Sequence, residues 1–190
     1  MDLARATWDE RRASLPGDEL VQADVVMDRG FDLPASPEVV WPWLVQLGKR
    51  RAGWYFPRSV ERFVPTSRRA LRHVEPRLLE HEVGAVIPDW GGADATFTLA
   101  RIEEPSLLLY TSRRGHTDLT WCLHLTSRST EGSRLHLRLR MGPVRHRRLA
   151  SSAGGLVDAL TVVGLAEGLR ERVGRGPRRT PLHGRTAGRG

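Results

Sequence analysis

LTWCLHLTSRSTEGSRLHLRLRM, Leu119 to Met141, decides the fold class. Leu119, Trp121, Leu123 and Leu125 face one way, and Thr120, Cys122 and His124 face the other. After the loop SRSTEGS, Leu135, Leu137, Leu139 and Met141 repeat the alternation against His136, Arg138 and Arg140. A period of two over runs this long is that of a half-buried β-strand, and the loop is short enough for a hairpin. A one-residue slip would turn one apolar face over, so paired residue numbers must have an even sum. Pairing Leu123 with Leu137 satisfies this and sets His124 opposite His136. The apolar face needs a cover; Arg138 and Arg140 are expected on a solvated face.

Further strands lie upstream. ATFTLARIEEP (95–105) and SLLLYTS (106–112) meet at a Glu-Pro turn, and VVMDRGFDL (25–33) reads as another half-buried strand. Arg29 breaks its apolar set and is expected near an edge. Residues 66–83 give no clear reading, and HVEPRLLEHEVGAVIPDWGG holds one or two short strands with turns at Gly84 and Gly91-Gly92. The cover comes from downstream. Leu149, Ala153, Leu156, Leu160, Val163 and Leu169 recur at helical spacing, and Gly174 and Gly176-Pro177 end the helix. Gly164 and Gly168, four apart, leave a groove on one of its faces.

Two shorter helices complete the order. In PASPEVVWPWLVQLG, Ser36 suits the N-cap, Pro37 the first turn, and Val40, Trp43, Leu44 and Leu47 form one face. Trp41 points away from that face. Pro42 lacks an N–H, so a kink or a late start is expected. Pro57 starts a second short helix, on which Val60, Phe63 and Val64 share a face, and Pro65 stops it. Strands with one apolar face and a single large helix give an α+β fold. A curved sheet around one helix, with two short helices at one end, tends to leave a cavity.

Composition narrows the function classes. The chain has 190 residues and a net charge of +8, and 39% of it is hydrophobic. That is enough for one domain with a sizeable core. No apolar run reaches the ~18–20 residues of a membrane span. The start, MDLARATWDERR, lacks a signal-peptide centre, so a cytoplasmic location is expected. Cys122 is the only cysteine, so it forms no internal disulfide and is expected as a small apolar filler. Of the basic residues only Lys49 is a lysine. Much of the charge sits in RHRR (145–148) and in residues 175–190, a Gly, Pro and Arg tail expected to be disordered. Residues 1–20 are expected to be a polar arm, and 21–174 the folded domain.

The motifs also resemble a family. Pro16-Gly17-Asp18-Glu19-Leu20, the run from Pro34 to Gly48 and Arg51-Ala52-Gly53-Trp54-Tyr55 are similar to motifs of small actinobacterial proteins of the SRPBCC superfamily. That superfamily includes START lipid-transfer domains, birch-pollen-allergen-like proteins, and polyketide cyclases and dehydratases. The resemblance covers about residues 16–174. It implies the helix-grip fold, a curved antiparallel sheet around a long C-terminal helix. It also implies a long cavity between sheet and helix, entered near the two short helices. It specifies no activity, because the superfamily spans carriers, receptors and enzymes.

On this reading the pocket candidates are Trp54, Tyr55, Trp90, Phe97, Trp121, Leu123, Leu137, Leu139, Leu156, Leu160 and Val163. Trp54 and Tyr55 either line the entrance or simply pack the end of the fold, whereas Trp43 belongs to the core. No HExxH, CxxC, GxSxG, P-loop or GxGxxG pattern is present, so neither metal nor cofactor is expected. His116 and Asp118, beside Arg113 and Arg114, are weak acid–base candidates set against an ordinary polar loop. Asp89 and Asp94 flank Trp90 and suit either a pocket rim or a turn. Trp121 on the apolar strand face argues against a nucleic-acid stacking platform. The expected function is binding or carrying a hydrophobic, lipid- or polyketide-like molecule without catalysis. A cyclase- or dehydratase-like enzyme and a structural protein with a filled core are the alternatives.

Overall fold

A computed structural model describes residues 4–92, 94–144 and 161–174. The elements run α1 (Trp8–Arg12), β1 (Val25–Leu33), α2 (Pro37–Gln46), α3 (Arg58–Glu61), two single 3₁₀ turns (Thr66–Arg68 and Pro76–Leu78), β2 (Val86–Pro88), β3 (Thr96–Glu103), β4 (Leu107–Arg114), β5 (Thr117–Ser129) and β6 (Gly132–Gly142). A helix, α4, occupies residues 161–173 of the described chain. The six strands form one open antiparallel sheet in the order β1-β6-β5-β4-β3-β2. This is the α+β class expected from the alternating strands, in the helix-grip arrangement that the resemblance implied. Leu123 lies opposite Leu137 and His124 opposite His136, so the parity argument sets the register. The hairpin is tighter than the sequence suggested, because pairing continues to Ser129 and Gly132. Arg29 lies on β1, an edge strand.

The main core lies between the inner sheet face and the helices. Phe31, Leu99, Leu108, Leu123, Leu125, Leu135 and Leu137 meet Leu165, Ala166, Leu169 and Val173 of α4 and Val40, Leu44 and Val45 of α2. α2 continues through Pro42 from Pro37 to Gln46. Ser36 sits at its N-cap, but its side chain makes no capping hydrogen bond and engages Glu38 instead. Trp41, off the expected stripe, is buried all the same, because α2 is covered on more than one side.

The outer face around Cys122 and Arg138, expected to be solvated, is covered, because residues 4–20 pack against it. Leu15 packs on Leu107, Leu109 and Cys122 in a second, smaller core. Gly17, at φ +92°, allows this approach: a Cβ there would come within 2.5 Å of the Leu109 side chain. Arg138 is 3% exposed. It donates to Asp28 at 2.8 Å, to Asp18 at 2.7 Å and to the carbonyls of Glu10, Arg11 and Ala13. Arg134 donates to Glu10, to Asp32 at 3.2 Å and to the Arg5 carbonyl at 3.1 Å. A guanidinium has five donors, and burying one is tolerable only when acceptors surround it. β1 supplies Asp28 and Asp32, and the arm supplies the rest, including Asp18 from the PGDEL motif. Burial works to raise the Glu10 pKa. The Arg134 hydrogen bonds and charge and the Thr7 N–H outweigh it and hold the group at about 2. Burial also works to raise the Asp28 pKa, but hydrogen bonds from His136 and Arg138 bring it below the usual carboxylate range.

Candidate functional site

A cavity of about 260 Å³ opens between the inner sheet face, α2 and the start of the described part of α4. All six strands reach its wall. β5 and β6 contribute Leu119, Trp121, Leu123, Leu137, Leu139 and Met141; these are the inward residues of the opening hairpin. β4 adds Tyr110 and β3 adds Phe97. These neighbouring strands place their rings side by side, because Tyr110 pairs with Trp121 in the sheet register.

The rings form one continuous wall. Trp54 stacks on Trp121 at 6.1 Å between centroids and 22° between planes, and meets Trp90 edge-on at 5.8 Å. Trp121 also lies 5.7 Å from Phe97 and 5.8 Å from Tyr110. Such ring pairs contribute about 0.5–1.5 kcal/mol each beyond their buried area. The wall is therefore stiff as well as apolar. The indole N–H of Trp54 donates to the Thr161 carbonyl at 3.1 Å, which ties the ring to α4 and leaves its face to the cavity.

Charge is sparse and confined. Arg29, Asp89 and Arg114 are the charged side chains of the described lining. Arg114 pairs with Asp89 and lies over Phe97, its guanidinium carbon 5.2 Å from the ring centroid. The Asp89 carboxylate also accepts the Gly91 N–H at 3.2 Å, so it serves the turn and the rim together. Asp94 is exposed and does not line the cavity. No histidine belongs to the described lining. His81 stands behind the wall, with Nε2 3.3 Å from the Tyr110 hydroxyl. Burial and the nearby Arg51 charge push the His81 pKa down to about 4, so the imidazole is neutral near pH 7. Burial raises the Tyr110 pKa, so the phenol stays protonated.

Seven of the residues expected at a pocket meet in this wall: Trp54, Trp90, Phe97, Trp121, Leu123, Leu137 and Leu139. Tyr55 does not. It is fully buried on the other side of the turn, donating to the Trp43 carbonyl at 2.9 Å and accepting from Gln46 at 3.0 Å, with Arg172 stacked on its ring. Val163 packs against the core, while Thr161 and Val162 face the cavity. Leu156 and Leu160 lie outside the described residues. His116 and Asp118 sit at the β4–β5 hairpin, away from the cavity, where Asp118 faces Arg113 at 3.6 Å. His136 is turned to Asp28, 2.7 Å away under the arm, and no metal-ligating group is found among the described residues.

Met27, Arg29 and Tyr110 line the cavity without having been pocket candidates, and Arg114, expected beside His116 and Asp118, turns to the cavity instead. Tyr110 is hidden in LLLY, which shows no alternation because both faces of β4 are covered. Leu107 and Leu109 meet Leu15 of the arm, and Leu108 and Tyr110 meet the main core.

No family model and no curated protein matches the chain. Among solved structures, the chain is similar to a Thermobifida fusca protein determined by NMR. Identity is 21%, with 79% of this chain and 93% of that one covered and a TM-score of 0.49. It is also similar to DynU16, from the dynemicin biosynthetic locus, at 15% identity, 80% and 48% coverage and a TM-score of 0.49. Norcoclaurine synthase from Thalictrum shows 11% identity, 80% and 96% coverage and a TM-score of 0.48.

Proposed function

We propose that the chain binds or carries a hydrophobic small molecule in the cavity between sheet and α4, without transforming it. The observation that carries this reading is the wall itself: aromatic and aliphatic side chains from every strand, around a space that they leave unfilled. Ligand sites of this kind are concave, mostly apolar and furnished with a few oriented polar groups. Here those groups are Arg29, the Asp89–Arg114 pair and Tyr110. The resemblance to the SRPBCC superfamily points the same way. A stiff wall of rings favours a ligand with flat, polarisable surface, such as a polyketide-like molecule, over a thin acyl chain. The space that the described residues leave unfilled weighs against a purely structural role.

The test is to purify the protein natively, extract it into organic solvent and identify released molecules by mass spectrometry. Titration with an environment-sensitive apolar dye runs in parallel. Leu137→Trp, which fills the cavity from β6, should abolish dye binding while the protein stays folded. Undiminished dye binding in this variant would place the dye elsewhere and defeat the reading. A cyclase- or dehydratase-like activity has one observation in its favour, the Asp89 carboxylate at the rim. If Asp89 acts on the ligand, Asp89→Asn preserves dye binding and abolishes turnover of any extracted compound.

A further inference from the structure

The segment between Pro57 and Arg72 carries a surface that the cavity does not explain. Phe63 is 77% exposed and Val60, one turn before it, 43%. Around them stand Arg58, Arg62, Arg68, Arg69 and Arg72, against Glu61 as the one acidic residue of the stretch. Glu61 is turned inward, 5% exposed, and accepts from Arg72 and Arg172. It therefore presents no negative charge to solvent. Arg58, Arg62, Arg69 and Arg72 converge on one shallow depression beside Glu61 and Ala70. Arg72 is committed to Glu61 and Glu171. Arg69 donates to the Val64 and Arg62 carbonyls, which leaves its charge unbalanced. The Arg58, Arg62 and Arg69 side chains form no ion pair among the described residues. The Arg58 backbone N–H donates to Glu171 at 3.1 Å, so that carboxylate, shared with Arg72, bounds the patch on one side. The Arg62 guanidinium lies over the Phe63 ring at 4.6 Å, so cation and apolar surface form one patch.

We propose that this patch docks the protein on an anionic phospholipid bilayer, with Phe63 and Val60 entering the interface and the arginine-lined depression holding a lipid phosphate. Each half of the patch fits one layer of such a surface. Apolar side chains gain by leaving water for the acyl boundary, and cations gain about fivefold each in binding near an anionic leaflet. A nucleic acid would match the charge, but its phosphate backbone offers no apolar cover for Val60 beside the ring. The patch is continuous in the chain with Trp54 of the cavity wall, three residues before Pro57. The proposal rests on none of the cavity residues.

The experiment is co-sedimentation of the full-length protein with extruded vesicles of phosphatidylcholine alone and of phosphatidylcholine with phosphatidylglycerol. Phe63→Ser and the double variant Arg58→Ala/Arg62→Ala are compared with wild type. Wild type should partition onto the anionic vesicles only. Phe63→Ser should lower the partition coefficient roughly tenfold, since part of a phenyl ring's transfer is lost. The double variant should lower it roughly 20-fold. Melting temperatures and dye binding of both variants should equal wild type, since the side chains lie outside the cores and the cavity. Equal vesicle binding by all three proteins would assign the attraction to the basic segments 145–148 and 175–190 and overturn the proposal. So would tighter, variant-sensitive binding to a short single-stranded RNA, or a dimer that Phe63→Ser dissociates. Soluble glycerophosphoglycerol that competes as well as vesicles do would reduce the site to free phosphoester binding, which also overturns it.

Discussion

Gly168 of α4 sits so close to Tyr55 that a Cβ on it would lie 2.6 Å from the Tyr55 carbonyl carbon and oxygen. The groove that the glycines four apart leave in α4 is thus occupied by the Tyr55-Phe56 backbone. This contact brings α4 against the turn that presents Trp54 to the cavity.

Gly168→Ala should therefore destabilise the protein by about 2–3 kcal/mol, since backbone on both sides must separate. Gly164→Ala meets only the edge of the Phe56 ring at 2.6 Å, and that side chain can turn away. Its cost should be about 1 kcal/mol. Urea unfolding of the two variants checks the order, and equal costs would mean that α4 shifts as a unit.

Trp43 and Trp54 separate core from site. Trp43 is buried and makes an edge contact to Tyr55 at 5.8 Å, so Trp43→Ala should show a full core loss of ~3–5 kcal/mol. Trp54 is half-buried with one face on the cavity, and Trp54→Ala should cost ~1–2 kcal/mol. It should weaken dye binding far more than stability. Dye affinity unchanged in Trp54→Ala would remove this ring from the site.

The arm should be indispensable to the outer face. Arg138→Met takes from Asp18 and Asp28 the guanidinium they share under the arm, a loss of about 3–5 kcal/mol. Deleting residues 1–20 should have a second readout. Cys122 is 2% exposed, and burial together with the nearby Asp18 charge pushes its thiol up to about 12. It should resist thiol reagents in the full chain and react in the truncated one. A resistant thiol after truncation would mean that the rest of the chain seals this face.

Stability should fall on acidification in two windows. The folded His81 pKa, about 4, lies below its ordinary value of 6.5, so the unfolded chain binds the extra proton first. Its contribution is complete above pH 6.5 and is lost progressively down to about pH 4, by roughly 2–3 kcal/mol. Glu10, held at about 2, contributes fully above its unfolded value of 4.5 and loses that contribution between there and about pH 2. His81→Gln should flatten the upper window and Glu10→Gln the lower one in denaturation measured from pH 7 to 3.

The alternation from Leu119 to Met141 determined a great deal alone: strand type, pairing parity and which residues face the helix. Side chains in a strand point up and down in turn, and burial on one face admits only one parity. The seven expected residues that line the cavity are almost all of this kind, or aromatics close to a glycine turn. What the alternation could not carry was whether the second face was covered. Arg138 reads as a solvated residue on pattern alone, and is buried only because residues 4–20 fold back with carbonyls and carboxylates placed for it. The same cover hides Tyr110 within LLLY by burying Leu107 to Tyr110 on both faces of β4. Trp54 and Tyr55 are adjacent and similar in chemistry, and only the tertiary structure parts them. The chain turns between Gly53 and Pro57, and α4 approaches at Gly168, so one ring faces the cavity and the other closes on Gln46. That division depends on a contact between residues 113 positions apart, a distance over which no local period carries information.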